Sequence, residues 1–194
     1  MLDSTALDIP WRDLQPLKQP KLKLGLILED PLYLLHPPIK RALNEAARML
    51  EADGHELVRL DPAECLVAEA TEVALAFFAS KVAGPDLIEE GGEPAVNSVV
   101  LTRKALSGLA PKFLRDIDTL QGVDKLAALN VKRAAVADGW RELWRKHRFD
   151  AVISPSAQHT ALPHDQFGIP PYTVFLNTMD VSPSFSSGTA CLMH

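Results

Sequence analysis

The stretch KLKLGLILEDPLYLLHPPIKRALNEAARMLEADGHELVRLDP, residues 21–62, decides the fold. Leu22, Leu24, Leu26 and Leu28 interleave with Lys23, Gly25 and Ile27, the pattern of a mostly buried strand. Pro37 and Pro38 then open a helix, where a missing backbone N–H costs nothing. Ile39, Leu43, Ala46, Ala47 and Leu50 recur at helical spacing and mark its buried face. Gly54 suits the left-handed position that ends a helix, and Glu56 to Leu60 reads as a second strand. A strand, a helix and a strand in this order predict a parallel pair joined by a right-handed crossover. The fold class is therefore α/β, with a partial sheet, mixed or mostly parallel, flanked by helices.

On the N-terminal side, residues 1–20 carry Pro10, Pro16 and Pro20 and read as an extended lead-in. On the C-terminal side, Pro62 opens a long helix reaching about Val82, and Gly84-Pro85 stops it. The run EEGGEP, residues 89–94, is a turn by composition, followed by a helix over about Ala95–Ser107. Pro111 opens a short helix ending near Asp116. A longer one runs from about Val123 to His147, with Leu126, Leu129, Val136, Trp140, Leu143 and Trp144 on or near one face. AVISPS, residues 151–156, reads as a buried strand, and YTVFLN, residues 172–177, as another. The last segment, SPSFSSGTACLMH, is small, polar and aperiodic, so residues 181–194 are expected to be poorly ordered.

Composition narrows the function classes. The chain has 194 residues, 47% of them hydrophobic, and a formal net charge of -5. That acidity, with Lys and Arg scattered among acids, excludes a nucleic-acid footprint. The sequence holds no apolar run long enough to span a membrane, and its first residues include acids and form no secretory signal, which places it in the cytoplasm. Cys65 and Cys191 do not make a disulfide framework; Cys65 reads as a buried thiol.

Several groups in the sequence carry chemical potential. No dinucleotide fingerprint, phosphate loop, nucleophile elbow or zinc motif occurs. His159, His164 and Asp165 share a proline-rich loop, but no regular element fixes their spacing for a metal, and a surface loop is the better reading. His55 reads as a packed or capping residue. Glu89, Glu90 and Glu93 are adjacent acids in a turn, which is usually a solvated face rather than an acid–base pair. Ser184, Ser186 and Ser187 beside Gly188 could offer a nucleophile and backbone amides, but no lysine follows Lys146 to act as base. Phe77-Phe78 either lines an apolar channel or belongs to the core.

Residues 21–62 resemble a block of the amidase-signature family, notably fungal general amidases and acetamidase-like members. The resemblance rests on the strand ending near Glu29-Asp30, on His36-Pro37-Pro38, Arg41-Ala42-Leu43, Gly54-His55 and Pro62. Ala6–Arg12 resembles the lead-in, and Gly92-Glu93-Pro94, Phe149–Pro155, Pro163-His164-Asp165 and Tyr172–Asp180 match in order. The resemblance implies the C-terminal part of a carboxamide hydrolase, over residues 21–180, that works through an acyl-serine without metal or cofactor. It also implies that the Ser–cis-Ser–Lys triad lies in sequence preceding this block. No catalytic, cofactor or metal residue is therefore carried over, and the substrate-binding residues stay unassigned. The expectations are a truncated amidase relative, inactive alone, that meets a small amide only when completed. Exposed strand edges of an incomplete sheet could also pair copies of the chain. The alternatives are a non-enzymatic binding or accessory protein derived from an amidase, and a fragment of a full amidase whose start lies upstream.

Overall fold

The computed structural model describes residues 21–80, 90–94, 96–107, 111–166, 168–179, 183–185 and 190–193. Its first unit is the expected one: β1 (Lys23–Leu26), α1 (Pro37–Ala52) and β2 (Glu56–Arg59), with β1 and β2 parallel. The lead-in at residues 1–20 lies outside the described residues. Ile39, Leu43 and Ala47 form the buried face of α1. Gly54 stands just beyond its end at φ 90°, where a side chain would be strained. The entry into β1 is fixed by two side chains. Leu22 N–H donates to His55 Nδ1 at 3.1 Å, and Lys23 N–H donates to Asp150 Oδ2 at 2.7 Å. Gly25 makes room at the centre of β1: a Cβ there would stand 3.1 Å from Val152 Cγ2 and 3.2 Å from the Phe149 ring, so those side chains would have to give by a few tenths of an ångström.

The helix expected over 62–82 is two helices, α2 (Pro62–Cys65) and α3 (Val67–Ala79). Leu66 between them adopts φ 53°, ψ 30°, which breaks the hydrogen-bond ladder. The Trp140 indole N–H donates to the Cys65 carbonyl at 2.8 Å and satisfies a group that the break exposes. Asp61 caps α2 by accepting from Ala63 N–H.

α4 (Asn97–Ser107) and α5 (Gly122–His147) stand where helical spacing placed them. The short helix expected after Pro111 is instead a run of turns. The amide N–H groups of Lys112, Phe113 and Leu114 turn onto the Glu72 carboxylate at 2.8–3.0 Å, where a helix would have left its first amides open. β3 (Ala151–Pro155) is wholly buried, including Ser154, the one polar residue in it.

Residues 172–177 are not a strand. They lie in α6 (Pro171–Met179), with Pro171 in the first turn and the Thr173 and Val174 N–H groups on the Pro170 carbonyl. Aromatic and branched residues favour strands only through their surroundings. Here Tyr172, Phe175 and Leu176 are buried against the core and α6 packs closely on α3, so tertiary contact decides. The tail expected to be poorly ordered supplies two short strands, β4 (Pro183–Phe185) and β5 (Ala190–Met193). Ala190–Met193 pairs antiparallel with β3, while residues 181, 182, 186–189 and 194, with Ser186, Ser187 and Gly188 among them, lie outside the described residues.

The sheet order is β2-β1-β3-β5-β4, parallel across the first three strands and antiparallel at β3–β5 and β5–β4. One core cluster joins the sheet to α1, α3, α5 and α6. A second gathers Val73, Leu114, Ile117 and Leu129 between α3, the turns and α5.

Candidate functional site

α3, α5 and α6 meet around one arginine. On α5, Leu129, Val136, Trp140 and Leu143 are buried, and Arg133 falls on the same stripe. Its Nε–H donates to the Thr178 carbonyl at 2.8 Å. That carbonyl belongs to the last turn of α6, where backbone acceptors lack intrahelical partners and the helix dipole favours a cation. Thr178 in turn donates its hydroxyl to the Ala70 carbonyl at 2.7 Å, and the Thr71 hydroxyl donates to the Val67 carbonyl at 2.7 Å. Arg133, α6 and α3 are thus held in one polar seam.

Two surface depressions meet at Arg133 and Thr178. One, of about 450 Å³, runs along α5 past Asn130, Asp138 and Arg141 to Met179. The other, of about 210 Å³, is lined by Ala74, Phe77, Phe78 and Asn177 as well. Phe77 is half-buried against the second cluster, while Phe78 is 66% exposed. The pair therefore divides between the two readings the sequence allowed: Phe77 serves the core and Phe78 faces a depression. Within the first depression Asp138 is paired with Arg141, and among the described residues Arg133 forms no ion pair.

At the other end of α6, the Tyr172 hydroxyl accepts from Asp30 N–H at 2.8 Å and donates to the Tyr33 carbonyl at 2.7 Å. Burial pushes the Tyr172 phenol well above its ordinary value, so it stays a neutral strut. Burial likewise pushes the Cys65 thiol up to about 12, which removes it as a nucleophile. The Lys40 ammonium, hydrogen-bonded to Glu29, holds that carboxyl below its usual value.

The remaining candidates from the sequence are scattered. His164 and Asp165 are exposed, and His159 stacks edge-on against His36 at 5.8 Å. Among the described residues no group of His, Cys, Asp or Glu converges as a metal site. Glu90 and Glu93 are exposed, and Glu89 lies outside the described residues. Ser184 is paired with Leu192 in the β4–β5 ladder. The buried Ser154 hydroxyl donates to the Pro155 carbonyl. Sequence reasoning missed Arg133, although its place on the apolar stripe of α5 is a readable signal. It also missed Glu72, whose partners are backbone amides some 40 residues away and leave no sequence trace.

Comparison with known proteins fixes the family. The amidase family's sequence model matches residues 1–189. This chain belongs to the amidase family. The match runs past Asp180 into the serine-rich stretch, beyond the point where the sequence reading expects the family pattern to end. "Amidase 1" of Gibberella moniliformis is 29% identical over 97% of this chain and 36% of its own length. The acetamidase of Aspergillus oryzae is 26% identical over 92% of this chain and 33% of its own length. Among solved structures, a fatty acid amide hydrolase superposes with a TM-score of 0.63 at 24% identity, over 93% of this chain and 30% of its own, and so shares the fold. This amidase-family chain spans about a third of the length of the curated relatives it matches. No described helix is long and apolar enough to cross a membrane.

Proposed function

We propose that these residues are the scaffold of a carboxamide hydrolase and do not hydrolyse amides alone. The family match along residues 1–189, at about a third of the relatives' length, carries this reading. In the reaction proposed, a serine oxygen attacks the amide carbon, the C–N bond breaks as the nitrogen takes a proton, and water releases the acyl group as a carboxylate. That step needs a serine beside a base and donors for the oxyanion. The geometry here supports scaffolding instead. The Ser154 and Ser80 hydroxyls donate to backbone carbonyls, and Cys65 is sealed in the core.

The test is ammonia release from acetamide and other simple amides, with labelling by a serine-directed fluorophosphonate. The 194-residue chain is expected to give neither. Turnover with labelling at Ser184, Ser186 or Ser187 would overturn the proposal. One observation favours an accessory role as a second reading: among the described residues every buried side-chain polar atom has a partner, as in a self-sufficient folded unit. A monodisperse, folded and inactive product would support that reading, and an insoluble one would count against it.

A further inference from the structure

β4 and β5 are consecutive in the chain, yet β5 is the inner of the two. It lies between β3 and β4 and pairs antiparallel with both. Adjacent strands stand about 4.8 Å apart, so β3 and β4 are separated by about 10 Å, the width of one strand. Without β5 this is a slot with backbone N–H and C=O groups along each wall. The register sets its length. Val152, Ile153, Ser154 and Pro155 face Met193, Leu192, Cys191 and Ala190 on one wall. Pro183, Ser184 and Phe185 face Met193, Leu192 and Cys191 on the other. Pro155 and Pro183 thus stand at opposite ends of the two walls, and each lacks an N–H, so the ladder suits a strand of about four residues. β3 is buried at every position, so the strand that enters has to be uncharged, as Ala190-Cys191-Leu192-Met193 is. The family match ends at residue 189, so this strand falls just outside it.

We propose that the space between β3 and β4 is a strand-acceptor site for an uncharged, antiparallel strand of about four residues. A second copy of this chain fills it with its own Ala190–Met193 when the resident strand is withdrawn. Exchange of an identical element between copies forms the contacts of the closed molecule again, so it costs little. Residues 186–189 alone join β4 to β5, which keeps the resident strand at an effective concentration on the order of millimolar. Exchange therefore needs either that concentration of chain or a resident strand that no longer fits. The outer edges of the sheet, β2 and β4, offer an arriving strand one wall where the slot offers two.

The experiment follows, by fluorescence anisotropy, a labelled peptide of residues 187–194 that stands for the strand of a second copy. In Leu192→Pro the resident strand carries a proline in the middle of a central position, which removes its pairing. Circular dichroism checks that the variant folds. It is expected to bind the peptide at least about a hundredfold more tightly than the unmodified chain does, and not to bind a peptide that itself carries Leu192→Pro. The register gives a second test that does not depend on that variant. Opposed residues of antiparallel strands lie about 4.5–5.5 Å apart at Cα, within disulfide reach, so Ser154→Cys places a thiol across from Cys191. Refolded and then oxidised with glutathione disulfide, this variant should link positions 154 and 191 within one chain at about 1 μM and between chains at about 1 mM. Adding Cys191→Ser should abolish both links. A folded Leu192→Pro chain that ignores the peptide, equal binding by the unmodified chain, or equal binding of the proline-bearing peptide would overturn the proposal. So would the lack of any link between positions 154 and 191, or links confined to single chains at the higher concentration.

Discussion

Tyr172 ties the start of α6 to the loop after β1 with a single oxygen. It takes the Asp30 amide in a buried hydrogen bond and satisfies the Tyr33 carbonyl in a partly buried one. Tyr172→Phe keeps the ring's packing but orphans both backbone groups, so it should lower unfolding free energy by about 1–3 kcal/mol. Denaturant titration measures this, and a loss under about 0.5 kcal/mol would show that water reaches the site. Cys65 offers a different reading at the same scale. Its thiol, raised from 9.0 to about 12 chiefly by burial and then by the Glu64 charge, loses its proton less readily folded than unfolded. Its contribution to stability is therefore complete below pH 9.0 and falls as pH climbs toward about 12. The denaturation midpoint of the unmodified chain, minus that of Cys65→Ala, should shrink steadily over that range. A pH-independent difference would contradict it. Cys65 was legible in the sequence because an apolar helical context suffices to predict burial. Tyr172 was not, since its value lies in two backbone groups about 140 positions away.

Helix ends and breaks carry most of the differences between expectation and structure at the scale of elements. α1, α4 and α5 follow from periodicity and from Pro37-Pro38 and Gly54, because their signals are local. The break at Leu66 is not local: it depends on the Trp140 indole arriving from α5. α6 departs from the expected strand because a short apolar run has no period of its own, and only α3 against it decides for a helix. The end of α5 gives a clean test. Arg148 is exposed and sits at φ 55° with its N–H on the Trp144 carbonyl, the left-handed position that glycine occupies without strain. A non-glycine residue there costs about 1–2 kcal/mol, partly offset by the freedom glycine adds to the unfolded chain. Arg148→Gly should therefore stabilise by roughly 0.5–1 kcal/mol, raising Tm by about 1–4 °C for a chain of this size. Arg148→Ala keeps the strain and should not. Calorimetry of the two variants decides, and equal Tm values would remove the strain from the account.

Over the whole molecule, the two core clusters differ in how they are held. The larger is fixed by the sheet, with β3 between β1 and β5 and wholly buried. The smaller depends on the turns after Pro111, which carry Leu114 and Ile117 to Val73 and Leu129. Those turns lack a regular ladder, and their entry is fastened by Glu72 through the amides of Lys112, Phe113 and Leu114. A carboxylate accepting several backbone N–H bonds is a strong but single fastening. Cooperative units of unequal stability follow from this arrangement. Native-state hydrogen exchange should show the amides of β1, β3 and α6 opening only with global unfolding, and those of 112–120 opening at lower free energy. Glu72→Gln retains an acceptor but loses its charge, so it should reduce protection at 112–114 by roughly tenfold to a hundredfold, the range of a charge-assisted bond. Protection in β1 and β3 should hold, because their ladders do not pass through Glu72. If Glu72→Gln lowers protection everywhere by the same factor, the two clusters are one cooperative unit and the turns belong to the core. If it lowers protection only at 112–120, the small cluster is a separable cover over α3 and α5, and the wall bearing Phe77 can move while the sheet stays closed.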